Sequence, residues 1–165
     1  MQHVQTRSTT SALVLTAVLI ALTTLFTMYT KIPVPGIRGY FNVGDVVIMT
    51  SALLLGRKYG AYIGAIGPAL ADLFLGYAVF VPITFVVKGI EGYLVGTVYN
   101  HKTTTSALVA TIVGGIVIVA GYFIAEYFVF DPGVAIASIL TNAIQAVMSV
   151  IISMILYAIL RRRLA

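Results

Sequence analysis

The 165-residue chain carries only five acidic side chains, against ten lysines and arginines. Four of the acids, Asp45, Asp72, Glu91 and Glu126, fall within or beside long apolar stretches, and so does Lys88. Burying such a group in hydrocarbon costs on the order of several kcal/mol, so its usual reason for being there is function. Lys88 and Glu91 are spaced i,i+3, Tyr122 and Glu126 i,i+4, and Asn142 and Gln145 i,i+3, so each pair shares one helix face. The chemistry these residues offer is charge pairing and hydrogen bonding to a small polar molecule. For Lys88 and Glu91 the alternatives are ligand contact or an ion pair that offsets its own burial. For Asn142 and Gln145 they are ligand contact or hydrogen bonding between helices. Asp72 and Glu126 are expected at the headgroup level.

Catalytic and metal chemistry find no support. The chain has no cysteine, and its two histidines, His3 and His101, have no carboxylate at ligand spacing. The nearest fragment to a phosphate-binding loop, His101-Lys102-Thr103, lacks the glycine such a loop requires. No enzymatic activity, catalytic residue, metal or cofactor is expected, and the chain is not expected to hydrolyse ATP.

The elements that position these residues follow from composition. With 60% hydrophobic and 9% charged residues, and a mean hydropathy of +1.05, the chain departs far from the roughly 25% charged composition of soluble domains. Its solvent is the bilayer. Residues 8–30, 103–125 and 132–160 are uncharged runs of 23, 23 and 29 residues, each enough for a crossing. Between them, Arg57-Lys58 flanked by Gly56 and Gly60 reads as a tight turn. Residues 75–82 read as a second break, with Pro82 in the first turn of the next helix. The expected helices are about 9–30, 44–56, 58–76, 80–100, 104–128 and 134–160, forming a single membrane domain over 1–165. The second is short for a crossing.

Charge placement gives the orientation. With the N-terminus inside, Arg7, Arg57, Lys58, Lys102, Arg161, Arg162 and Arg163 lie on the inner side, seven of the ten basic residues. The expectation is an all-α integral membrane protein of six transmembrane helices with both termini cytoplasmic, multi-pass in the cell membrane. The terminal arginines then anchor the last helix at the anionic inner leaflet, and no nucleic-acid partner is expected. Residues 8–30 exceed a signal-peptide core and lead into Lys31-Ile32-Pro33 rather than a small-residue cleavage site, so they are expected to remain as helix one.

On this scheme Asp45, Asp72, Lys88, Glu91, Glu126, Asn142 and Gln145 all fall in the outer half of the membrane, which suits a pocket open to the outside. The first outer loop, residues 31–45, combines Pro33 and Pro35, several glycines and the side chains Arg38, Tyr40 and Asn42, and reads as a lid. Two helices carry small-residue stripes that permit close approach. Ala61, Ala65 and Ala69 with neighbouring glycines are read as packing within the bundle. Ala17 and Ala21 on helix one, with Ala12 and Thr24 near the same stripe, are read as a surface for a partner.

These residues also carry a resemblance. The loop ending in Gly39-Tyr40-Phe41-Asn42-Val43-Gly44-Asp45, the turn Gly56-Arg57-Lys58-Tyr59-Gly60 and the segment Lys88-Gly89-Ile90-Glu91-Gly92 resemble those of substrate-binding S components of energy-coupling factor (ECF) vitamin transporters. The resemblance is greatest to the branch for hydroxymethylpyrimidine or pyridoxine-type compounds. It implies a subunit, not an enzyme, that captures a vitamin from outside. It also implies docking on a transmembrane coupling protein with two ATPases, and toppling in the membrane to release the vitamin inside. Ala17 and Ala21 match the family's Ala-x-x-x-Ala docking stripe. The first outer loop and helices four to six would form the pocket, making Arg38, Tyr40, Asn42, Lys88, Glu91, Tyr122, Asn142 and Gln145 the expected substrate-binding residues. The family's frequent tryptophans have no counterpart here, so Tyr40, Phe41, Tyr93 or Tyr122 would supply stacking. The alternatives are a stand-alone ion-coupled transporter in which Glu91 or Asp72 takes up a proton, and a structural subunit without a ligand. The first would call for broken helices or repeats.

Overall fold

A computed structural model describes residues 9–33, 38–100 and 103–164. Expectations about His3, Arg7, Pro35, His101 and Lys102, and about the side chains of Arg162 and Arg163, lie outside the described residues. The elements run α1 Thr9–Tyr29, β1 Ile32–Pro33, β2 Tyr40–Phe41, α2 Gly44–Leu55, α3 Arg57–Phe74, α4 Phe80–Val98, α5 Thr104–Val129 and α6 Pro132–Leu164. The all-helical expectation gains one addition. The first interhelical loop closes as a small antiparallel ribbon, pairing Ile32 with Phe41 and Pro33 with Tyr40. Pro33 is tolerated because both strands are edges, where a missing N–H breaks no ladder.

Polarity is arranged in reverse of a water-soluble fold. Phe128, Leu140 and Phe74 are 81%, 69% and 65% exposed, while Thr23, Asp45, Lys88 and Glu91 are buried. Such an exterior is stable only against lipid tails. Among the described residues α1, α4, α5 and α6 are long and apolar enough to cross a membrane. The 33-residue α6, at about 1.5 Å per residue, outruns a hydrocarbon core of about 30 Å, leaving its arginine end beyond the apolar zone.

The short α2 is the interior of the bundle. Its first ten residues, Gly44 to Leu53, are all buried, and α1, α3, α4 and α6 surround it. Twelve residues rise only about 18 Å; because neighbours rather than lipid cover it, no full-length apolar span is needed. Gly56 alone joins α2 to α3. Its φ of 87° is a left-handed conformation that glycine adopts without a Cβ penalty, and its N–H closes α2 onto the Ala52 carbonyl at 2.9 Å.

α3 and α4 pack backbone to backbone. A Cβ on Gly92 would strike the Gly60 carbonyl, and one on Gly64 would strike the Lys88 carbonyl. Small residues on both helices remove the side chains that would hold them apart, and this approach fixes where Lys88 sits. The Ala65 and Ala69 stripe is buried in the same packing. Gly92→Ala is therefore expected to destabilise the fold by about 1–3 kcal/mol, as overpacking does, lowering the unfolding temperature in detergent. An unchanged temperature would contradict the close approach.

Candidate functional site

The polar side chains meet at the end of the bundle away from the chain termini. Each comes from the end of its helix nearest that side: Thr27 from α1, Asp45 from α2, Asp72 from α3, Thr84 and Lys88 from α4, Tyr122 and Glu126 from α5, and Ser138, Asn142 and Gln145 from α6. Alternating helix directions bring these short stretches to one depth, although they are far apart in sequence.

At the centre, Lys88 Nζ lies 2.5 Å from Asp45 Oδ1 and 3.5 Å from Glu91 Oε2, with all three side chains at most 1% exposed. Of the two readings of Lys88 and Glu91, the ion pair exists, but Asp45 is the nearer partner. Glu91 has no hydrogen-bond partner on either oxygen and relies on Lys88 alone. The second Asp45 oxygen accepts from Gln145 Nε2 at 2.7 Å. Gln145 Oε1 accepts the Asn42 backbone N–H at 2.9 Å. Asn42 Oδ1 in turn accepts the Gly44 N–H, also at 2.9 Å. One chain of bonds thus ties α4, α2, α6 and the first loop together.

A second tie holds the loop to α3. The Tyr40 hydroxyl donates to Asp72 Oδ1 at 2.6 Å. Burial, and then the neighbouring Asp72 carboxyl, push the Tyr40 phenol well above its ordinary range, so it remains the donor. Asp72 and Glu126, expected at the headgroup level, are enclosed by protein. Each is 3% exposed, because the loop folds over the first and Ser138, which donates to Glu126, covers the second. Thr84 and Tyr122 share a hydrogen bond at 3.0 Å, and the Lys88 ammonium lies 5.4 Å from the Tyr122 ring centre, within cation–π range.

These groups enclose a cavity lined by Tyr40, Asn42, Lys88, Tyr122, Asn142 and Gln145, six of the eight residues singled out from sequence. Glu91 is not on its wall; it lies behind Lys88. Arg38 is exposed and stacks over Phe130 at 5.1 Å, in a shallow cleft above the cavity. Nor are Phe41 and Tyr93 on the wall, and Tyr93 instead packs under Arg57, 5.9 Å from its ring centre. Phe80 instead lines both cleft and cavity. Gly39, Asp72 and Glu126 also line the wall, as do Thr27, Pro68, Thr84 and Ser138, which were unforeseen. For Ser138 the signal was its i,i+4 spacing to Asn142, and for Thr27 the run of threonines along one side of α1. The free space is about 30 Å³. Among the described residues no three of His, Cys, Asp or Glu come together as a metal site requires.

An apolar exterior around one polar interior site defines an integral membrane protein of the solute-handling kind. The family model for the S component of ECF-type riboflavin transporters matches residues 7–162. The chain is 30% identical over 152 residues to the thiamine precursor transporter HmpT of Lactococcus lactis subsp. cremoris, covering 91% of this chain and 87% of that one. It is 41% identical over 144 residues to an uncharacterized protein of the gap 3' region of Pyrococcus woesei, covering 86% and 95%. Its fold matches the crystal structure of the S component for biotin from an ECF-type ABC transporter, with a TM-score of 0.65, 19% identity and 94% coverage of both chains. The chain belongs to the S components of ECF transporters. It is membrane-integral, and its family is one of vitamin-uptake components that work with a coupling protein and ATPases, not an enzyme class. Riboflavin, a thiamine precursor and biotin all occur among these names, so membership alone leaves the substrate open.

The buried pair generates a double-mutant prediction. Removing one partner strands the other charge, so Asp45→Asn and Lys88→Met should each cost about 3–5 kcal/mol. Unfolding measurements on the double variant should show a cost well below the sum. A strictly additive cycle would contradict the pairing.

Proposed function

We propose that the chain is the substrate-binding subunit for a small heteroaromatic vitamin or precursor, of the hydroxymethylpyrimidine or pyridoxine type. In this reading it crosses the membrane six times with both termini cytoplasmic, and its cavity opens to the outside. The observation that carries the reading is the convergence of Tyr40, Asn42, Lys88, Tyr122, Asn142 and Gln145 on one enclosed space. A wall with hydroxyls, amides, a lysine and the Phe80 and Tyr122 rings suits a small hydroxylated ring. The 30% identical relative named as a thiamine precursor transporter supports the same class. A free space of about 30 Å³ holds no such ring, so binding requires the first loop, with Tyr40 and Asn42, to lift and re-close. Arg38 then meets substrate at the mouth, and Glu91 acts by holding Lys88.

Release inside would come from docking on a coupling protein with two ATPases, which bind the ATP. Ala17 and Ala21 are exposed on α1 between the exposed Leu13, Val14, Val18 and Leu22, a shallow notch that a partner helix can enter. The cluster of Asp45, Lys88 and Glu91 favours one competing reading, a stand-alone proton-coupled transporter.

Reconstitution separates the two. Proteoliposomes holding this chain alone should bind but not accumulate substrate under a pH gradient, and should accumulate it once the coupling protein, ATPases and ATP are supplied. Accumulation by the chain alone would establish the competing reading. Ala17→Trp and Ala21→Trp are expected to leave substrate binding intact while abolishing ATP-driven uptake. Uptake that survives both would remove α1 from the docking surface.

A further inference from the structure

The cleft above the cavity is larger than the cavity and of different chemistry. It offers about 400 Å³, against about 30 Å³ below, and falls within the roughly 300–1,000 Å³ of small-molecule sites. Its wall carries the rings of Tyr77, Phe80 and Phe130 and the guanidinium of Arg38, and among the described residues no acid lines it. The turn between α3 and α4 fixes two of these rings. Gly76 turns the chain at a φ of 80°. The Tyr77 N–H donates to the Asp72 carbonyl and the Phe80 N–H to the Tyr77 carbonyl, both at 2.8 Å. The rings then stand in a row, with centres 6.3 Å apart from Tyr77 to Phe80 and 5.4 Å from Phe80 to Phe130. A cation flanks each end, Lys31 Nζ at 4.8 Å from the Tyr77 ring centre and Arg38 at 5.1 Å from that of Phe130.

Three consecutive loop residues straddle Phe80. Arg38 lines the cleft, while Gly39 and Tyr40 line the cavity. A Cβ on Gly39 would stand 3.7 Å from the Phe80 ring, so the loop backbone crosses the ring edge there. The partition between the two spaces is one phenylalanine ring and a residue without a side chain. A planar ring resting in the cleft gains stacking on the aromatic row and a contact with the Arg38 guanidinium. With two cations beside it and no acid on its wall, the cleft disfavours a positively charged ring. Such a ring already lies against Phe80 and crosses when the loop lifts at Gly39.

We propose that the cleft is a separate outer binding site, where an uncharged or anionic aromatic ring stacks against Phe80 and Phe130 beside Arg38 before it crosses into the cavity. This rests on the reading of the cavity as the substrate site. Capture and final binding are then carried by different residues, so they can be altered independently.

The test is stopped-flow mixing of the purified chain with hydroxymethylpyrimidine or pyridoxine. Tyrosine fluorescence reports entry, since Tyr40 and Tyr122 line the cavity and the chain has no tryptophan. Capture ahead of entry makes the observed rate level off as the compound is raised. Phe130→Leu removes a stacking face and should raise the half-saturating concentration roughly fivefold. Its equilibrium Kd should stay unchanged, because the bound ring has left the cleft. Asn142→Ala, in the cavity, should do the reverse and weaken Kd alone. Ala78→Leu fills part of the cleft from an exposed position and should act as Phe130→Leu does, giving a second readout if that variant fails to fold. Benzoate should compete with capture, and benzylammonium should not. A rate that rises linearly to millimolar compound, a half-saturating concentration unmoved by the cleft variants, a Kd that shifts with it, or competition by benzylammonium instead of benzoate would overturn the proposal. Each would leave the cavity as the substrate site. Binding of neither compound at equilibrium would overturn the cavity reading, and this proposal with it.

Discussion

An ammonium group 1% exposed to solvent, inside a bundle whose outer surface is hydrocarbon, is tolerable only beside a carboxylate. Asp45 meets Lys88 at 2.5 Å, and much of the architecture follows from bringing those two groups together. Asp45 must stand in the first turn of a helix that begins deep inside the molecule, which is why α2 starts where it does and is covered on all sides. Lys88 must sit one helix diameter away, which the glycine contacts between α3 and α4 provide. The remaining Asp45 oxygen then engages Gln145, and through it the backbone of Asn42. A single charge pair thereby sets the position of the loop that closes the site.

In the proposed reading, that linkage is how the site responds to a ligand. The first loop is held by Tyr40 on α3 and by Asn42 on α6, both short polar bonds over a nearly filled space. Lifting the loop breaks these bonds and exposes Asp72 and Gln145, and a ligand that satisfies the same groups replaces what was lost. In the proposed reading, binding and loop closure are coupled in this way. Ala17 and Ala21 are exposed on α1, so in the same reading a docking partner reaches them while the site remains closed.

Much of this was legible in the sequence, for identifiable reasons. Charges are so costly in hydrocarbon that their spacing marks the ends of helices, and the breaks at Gly56 and around Gly76 follow from glycine at positive φ. Helical spacing grouped Lys88 with Glu91 and Asn142 with Gln145. It could not reveal that Lys88 prefers Asp45, 43 residues away, because no local periodicity connects residues on different helices. Nor could it show that α2 is interior, since a helix buried in protein and one facing lipid are equally apolar. Spacing also gave no sign that protein would enclose Asp72 and Glu126. Proximity to a helix end suggested the headgroups, but the folded loop and Ser138 cover that end.

The claim that the Lys88–Asp45 cavity is a vitamin site is tested most directly by mass spectrometry of the purified chain for a co-purified compound, followed by titration of that compound. The account predicts one heteroaromatic molecule per chain, bound at nanomolar affinity and weakened by Asn142→Ala and by Gln145→Ala. A chain that carries nothing, and gives no heat with hydroxymethylpyrimidine, pyridoxine, riboflavin or biotin, would contradict it.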